Sequence, residues 1–387
     1  MFSRRLPPSL EPNRISRAVD AARARGPLID LTETNPTAVG LRYPEAEILQ
    51  ALADPRALRY QPTPRGLPEA RQAVADYYRR HGARVDPDRV FLTASTSEAY
   101  ALLFKLLCDP GDRVLVPQPS YPLFELLAGL EAVEVAPYPL RYHGGWYLEI
   151  DDLRRALDPR VRAILVVNPN NPTGSYLKRA EHAQLAALAA EHELALISDE
   201  VFADYAFAPD PDRVATLVGD SPALTFSLSG LSKLVGLPQL KLGWIHVGGP
   251  PARVAEADAR LELIADTYLS VGAPVQHAAA RLLALVDDLG AQIAARVRRN
   301  RAAVDHAVRG TALQLLDAEG GWCALLRLPR VRSEEEWVLQ LLDDGVLVHP
   351  GFFFDLPEEA YLMVSLLAEE AQLDEGVRRI VARVQSG

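Results

Sequence analysis

Between residues 85 and 247, short runs of apolar and β-branched residues alternate with segments of helical period. Strands joined by crossover helices leave this trace, which predicts an α/β domain built on a mostly parallel sheet. The expected strands are 90–93, 113–116, 133–135, 163–167, 195–198, 224–227 and 242–247, and the expected helices 96–107, 121–130, 180–193 and 251–264. Ligands of such sheets collect at the carboxyl edge, where strands end and loops begin. The polar residues of those loops carry the functional reading.

A smaller α/β pattern follows. A long helical stretch at 275–308 leads into a strand at 323–328, a helix at 334–342, strands at 346–349 and 361–366, and a terminal helix. This reads as a second, lid-like lobe completed by roughly the first 40 residues. A chain of 387 residues fits one large domain and one smaller, since domains usually run to about 100 to 200 residues. The expected division is a large domain at 44–275 and a small domain formed by 1–43 and 276–387.

Composition removes several function classes. The net charge of −10 is spread along the chain, a surface that repels nucleic acid and anionic lipid. No apolar run approaches the roughly 18 residues of a membrane span. Arg4 and Arg5 are followed by Pro7 and Pro8, which does not read as a signal peptide. Cys108 and Cys323 are the only cysteines, so a disulfide framework is not expected and a reduced, cytoplasmic setting is. Both read as small buried hydrophobes. The chain has no dinucleotide or P-loop glycine motif, and its eight histidines form no metal-ligand cluster.

Five strand ends carry chemistry. In Ser229-Gly230-Leu231-Ser232-Lys233, one lysine sits in a small-residue turn, with Lys241 eight residues on. The first can form a Schiff base and the second can hold a phosphate. Thr93-Ala94-Ser95-Thr96-Ser97 opens a helix with hydroxyls beside free backbone N–H groups, a phosphate cradle or a plain N-cap. Pro119-Ser120-Tyr121-Pro122 presents a ring that either stacks on a planar heterocycle or packs. Asn168-Pro169-Asn170-Asn171-Pro172-Thr173-Gly174 holds one loop shape and aims amides inward. Ser198-Asp199-Glu200 ends an apolar strand with a carboxylate that needs a cationic partner. Together these parts suit pyridoxal phosphate.

From residue 32 to 367 the chain resembles the class I/II, fold-type I pyridoxal-phosphate aminotransferases, whose motifs it matches in order and spacing. The resemblance implies a large mostly parallel-sheet domain with a smaller α/β domain. It also implies transfer of an amino group between an amino donor and a keto acid. By position, Lys233 corresponds to the Schiff-base lysine, Asp199 to the partner of the pyridine nitrogen and Asn171 to the donor to the phenolic oxygen. Tyr121 would stack on the ring, and Ser95, Thr96, Ser232 and Lys241 would hold the phosphate. Tyr60 is similar to the tyrosine that reaches the phosphate of the partner subunit, which implies a homodimer with shared sites.

Four positions depart from the family pattern. Ser95 stands where glycine is usual, and Lys241 replaces an arginine. Phe202 replaces a tyrosine donor to the phenolic oxygen, which should raise the pKa of the internal imine unless Tyr205 compensates. Met363 occupies the place of the arginine that clamps the substrate α-carboxylate. Either another cation holds that carboxylate, with Arg42 and Arg65 as candidates, or the reacting end lacks one and meets an apolar wall. Phe352, Phe353 and Phe354 add aromatic surface nearby, as substrate-facing rings or small-domain core. The same parts would serve a lyase or decarboxylase, and a non-catalytic pyridoxal-phosphate regulator is a further alternative.

Overall fold

The computed structural model describes residues 2–7, 9–358 and 360–386. Strand β1 (Ile29–Asp30) belongs to the second lobe. The large sheet contains β2 (Val90–Thr93), β3 (Arg113–Gln118), β4 (Glu134–Tyr142), β5 (Trp146–Leu148), β6 (Val161–Val167), β7 (Ala195–Asp199), β8 (Thr225–Gly230) and β9 (Gly243–Gly248). Their spatial order is β2-β9-β8-β7-β6-β3-β4-β5. The pairs β8–β7, β7–β6, β6–β3 and β3–β4 are parallel, while β9 and β5 run antiparallel to their neighbours.

The central strands are buried on both faces, which explains why β6 to β8 read as near-continuous apolar runs. Phe91, Phe226 and Ile245 pack one face beneath helices Thr96–Leu107, through its Leu103, and Pro251–Tyr268. Leu115, Ile164 and Leu196 pack the other against Arg179–Glu191. Trp244 closes the far end against helices Pro68–Arg80 and Ala273–Ala284.

In the second lobe, β10 (Gln314–Leu315), β11 (Cys323–Arg327), β13 (His349–Pro350) and β14 (Tyr361–Ser365) form an antiparallel sheet in the order β10-β11-β14-β13. Strand β12 (Val346–Leu347) instead pairs in parallel with β1. Helix Arg14–Arg25 is N-capped by Asn13, whose Oδ1 accepts from Ser16 N at 2.7 Å. Its Ile15 and Ala22 join Leu31, Trp337, Leu362 and Ile380 in one core, so the amino-terminal segment packs with the carboxyl-terminal lobe.

Three elements differ from expectation. The strand expected at 133–135 runs on to Tyr142, because Pro137 and Pro139 sit at positions whose nitrogens face away from β3, and it turns back as β5 through Gly144 and Gly145, with His143 N donating to Gly145 O. The helical stretch at 275–308 is two helices, Ala273–Ala284 and Leu289–Val308, separated by the short turn Leu285–Asp287. The strand at 346–349 splits between two sheets as β12 and β13. Among the described residues no helix is long and apolar enough to cross a membrane.

Candidate active site

The carboxyl ends of β2, β3, β6, β7 and β8 meet the second lobe around a cavity of about 610 Å³. At the end of β2, Ser95 is the N-cap of helix Thr96–Leu107, its Oγ accepting from Glu98 N at 3.2 Å. Its φ of −168° is ordinary extended backbone, so a serine fits there without strain. Thr96, Ser97, Ser232 and Lys241 line the same end of the cavity. Among the described residues none of their side chains bonds to another protein group, which leaves three hydroxyls and an ammonium beside the positive end of a helix.

After β6, side chains of the asparagine loop pin it to itself and to neighbouring backbone. Asn168 Oδ1 accepts from Leu177 N and its Nδ2 donates to Val214 O, both at 2.9 Å. Asn170 Oδ1 accepts from Thr173 Oγ1 at 2.9 Å. Gly174 has a φ of +70°, and a Cβ there would lie 2.4 Å from Gly320 O, so only glycine lets this loop meet the second lobe. Asn171 is thereby turned to the cavity, its Oδ1 accepting from Cys323 Sγ at 3.3 Å.

Strand β7 ends at Asp199, which is 8% exposed. Its Oδ2 accepts from Tyr100 Oη at 2.8 Å and its Oδ1 from Val201 N at 3.1 Å. Burial raises its pKa, while these two hydrogen bonds and the charge of Lys233 oppose the rise. No lysine or arginine among the described residues lies within ion-pairing distance of it. Its neighbour Glu200, buried and facing Ser198, Thr216 and Leu217, is pushed up to about 7.

Lys233 stands on the one-turn helix Leu231–Leu234 after β8. A Cβ on Gly230 would lie 2.9 Å from Gly243 Cα, so the two strands approach closely where the lysine turn begins. The Lys233 Nζ lies 5.1 Å from the Trp322 ring centroid and 5.9 Å from that of Phe202. It makes no hydrogen bond or ion pair among the described residues. Burial holds its pKa below the usual lysine value, partly offset by Cys323, Asp199 and Glu33.

Of the predicted site residues, all but Tyr60 line this one cavity. Tyr121 is partly exposed and edge-on to Phe124. Tyr60 lies elsewhere, 82% exposed, beside a second hollow shared with Leu58 and Tyr268.

Other expectations are corrected. Tyr205 does not take over for Phe202: its hydroxyl donates to Lys233 O at 2.5 Å and Leu234 O at 3.2 Å, and it does not line the cavity. Arg65 is held by Glu262 at 2.9 Å and Asp258 at 3.5 Å, outside the cavity, and Arg42 also lies outside it. Cys323 is buried as expected, yet it is a hydrogen-bond donor at the site rather than a filler, with burial pushing its thiol up to about 12. Cys108 is only half-buried.

Residues 27–380 match the model of the family described as aminotransferase class I and II. The chain belongs to that family. Class I and II aminotransferases are pyridoxal-phosphate enzymes of fold type I. Among family members, the chain is 29% identical to glutamate-pyruvate aminotransferase AlaA of Escherichia coli (strain K12), over 65% of this chain but only 62% of that protein's length. It is 31% identical to arginine–pyruvate transaminase AruH of Pseudomonas aeruginosa, over 82% of this chain and 80% of that one. In three dimensions it resembles an alanine aminotransferase from Pyrococcus furiosus, with a TM-score of 0.88, 26% identity and full coverage of both chains. It also resembles a mutant of the Thermus thermophilus aspartate aminotransferase, with a TM-score of 0.83, 25% identity and 99% coverage of each.

The cavity fits the cofactor of the aminotransferase family on its own chemistry. A buried carboxylate without an ion pair, a buried amine without a polar partner and a cluster of unpartnered donors at a helix start are the groups it requires. Tyr100, Trp322 and the Cys323 thiol contribute to the site and were not singled out from sequence. Tyr100 lies on the helix opened by Thr96, and its only sequence signal is a polar tip within an apolar helix face.

Proposed function

We propose that this chain transfers an amino group between an amino donor and a keto acid, with Lys233 as covalent anchor and proton carrier. The observation that carries the reading is the pairing, in one cavity, of the buried Lys233 amine and the buried Asp199 carboxylate, each without an ion-pair partner. Bound pyridoxal phosphate supplies an electron sink for the pair left when a bond at the amine-bearing carbon breaks. Asp199 holds a proton at the ring nitrogen, and Asn171 donates its amide N–H to the phenolic oxygen because its Oδ1 is occupied by Cys323. Tyr121 covers the ring. Ser95, Thr96, Ser232 and Lys241 hold the phosphate. Lys233, whose lowered pKa favours the neutral amine, takes the proton from the substrate carbon and returns it.

Substrate recognition in this reading does not use the family's arginine, since Met363 stands in that place with 2% exposure. The same absence favours a second reading, a lyase or decarboxylase, because the arginine helps decide which bond stands perpendicular to the ring. The transaminase names of the matching relatives support transfer. The division into 44–275 and 1–43 with 276–387 belongs to the same proposal, supported by the shared core of Ile15 and Trp337, although helix Ala273–Ala284 spans the 275 boundary and packs beside Trp244 of the large sheet. So does a cytosolic homodimer, supported by the two free cysteines and by the outward-facing Leu58 and Tyr60.

The test is the absorbance of the holoenzyme during addition of amino donors. A visible band that bleaches with a donor and returns with a keto acid supports transfer. A band that shifts without that exchange supports elimination or decarboxylation instead.

Tyr100→Phe probes the carboxylate. Its hydroxyl lowers the pKa of Asp199, so its loss raises that pKa further and moves the acid limb of the kcat/KM profile to higher pH. Activity should fall by roughly tenfold at the acid end and little at pH 8. An unmoved acid limb would separate Asp199 from turnover.

A further inference from the structure

The cavity has two unlike walls. One carries the polar groups described above, whereas the other is formed by Met363, Phe353 and Phe354 with Trp322 and Cys323, the last two adjoining Lys233 and Asn171. The apolar wall is not a single replacement. Met363 lies on β14, paired across the sheet with Leu325 and His349. Around it pack Trp146 from the β4–β5 hairpin of the large sheet, with Leu316, Leu356 and Tyr361 from the second lobe. An arginine at this position would have to enter an apolar cluster assembled from both lobes.

Charge leads to the same conclusion. The charged residues lining the cavity are Asp199, Lys233 and Lys241, with no arginine among the described residues. His349 is the remaining titratable base, and its buried ring, set against Phe353 and Phe354, has its pKa held below the usual histidine value by burial, with Asp30 opposing. In the proposed function Lys233 anchors the cofactor and carries the proton and Lys241 holds the phosphate, so among the described residues no lysine or arginine is left for the Met363 wall. A carboxylate placed there would lose water without gaining a cationic partner, with only neutral donors such as the Trp322 indole N–H in the lining.

We infer that the donor favoured by this site is a primary amine bearing an apolar, ring-sized group and no α-carboxylate. This rests on the aminotransferase reading and names its substrate class; the acceptor meets the same wall, so it is a keto acid whose carboxylate lies remote from the reacting carbonyl. In the balanced exchange, the donor carbon loses its hydrogen and its C–N bond and gains a C=O. The acceptor carbon gains a hydrogen and a C–N bond and loses its C=O. One water is consumed in the first half and one released in the second.

The experiment compares amino acids with their decarboxylated counterparts on the holoenzyme: phenylalanine with 2-phenylethylamine, and leucine with isopentylamine. Bleaching rates at equal concentration are followed by absorbance. The amine of each pair is expected to react faster by on the order of a hundredfold. Met363→Leu should keep that preference and Met363→Arg should narrow or reverse it. Amino acids that react as fast as their amines would overturn the substrate class while leaving the transfer reaction standing, whatever cation holds their carboxylate. A preference unchanged in soluble, cofactor-loaded Met363→Arg would overturn the role of the wall. No exchange with either partner of any pair, in protein that carries the cofactor, would overturn the aminotransferase reading itself.

Discussion

Lys233→Ala should bind pyridoxal phosphate without a covalent bond and lose turnover by about four to six orders of magnitude. The residue supplies both the anchoring nitrogen and the base, and among the described residues no other amine stands beside it. The remaining cationic lysine of the cavity, Lys241, lies at the hydroxyl-rich end. Mass spectrometry after borohydride reduction should show the cofactor on wild-type protein and not on the variant. The fold should not suffer, because the Lys233 ammonium makes no hydrogen bond or ion pair and is buried at a cost. Its folded-state pKa lies below the unfolded value, so the unfolded chain binds more protons and the lysine destabilises the cofactor-free fold at neutral and acid pH. Cofactor-free Lys233→Ala should therefore melt no lower than cofactor-free wild type at pH 7, with any gain shrinking as pH rises. A variant that keeps more than about a hundredth of the activity would place the chemistry on another residue.

Asp199→Asn isolates charge from shape. The amide keeps the volume of the carboxyl and an oxygen able to accept from Val201 N or Tyr100, but it cannot balance a positive ring nitrogen. The rate of donor bleaching under saturating donor should fall by on the order of a thousandfold, with cofactor still retained at Lys233. The acid limb of the pH profile that Tyr100→Phe displaces should vanish, since no carboxyl remains to titrate. A loss of less than about tenfold would show that the carboxylate is structural, and its burial beside Glu200 would then need another explanation.

The legible part of this site was local. The loops that carry Ser95, Asn171, Asp199 and Lys233 each begin at the end of a buried strand, and each of those strands announces itself by a short apolar run. A parallel sheet then brings loops that are far apart in sequence to one edge, which is why Ser95, Asn171, Asp199 and Lys233 could be grouped before any contact was known. Where several neighbours compete for one group, pattern was silent. Tyr205 lies three residues after Phe202, yet its hydroxyl is spent on backbone carbonyls. Arg65 is a free cation on paper and a paired one in the fold.

The order of strands, the loops that follow them and the residue types at their tips were thus set by hydrophobic period and turn chemistry, which act over a few neighbouring residues. Side-chain direction and long-range partners were decided only by tertiary packing. Tyr100 meets Asp199 across 99 positions, and the Cys323 thiol meets Asn171 across 152. The wall around Met363 needs a hairpin from one lobe and two strands from the other. A hydrogen bond depends on distances of a few tenths of an ångström between such groups, and these exist only once helix, sheet and second lobe have packed around the same cavity.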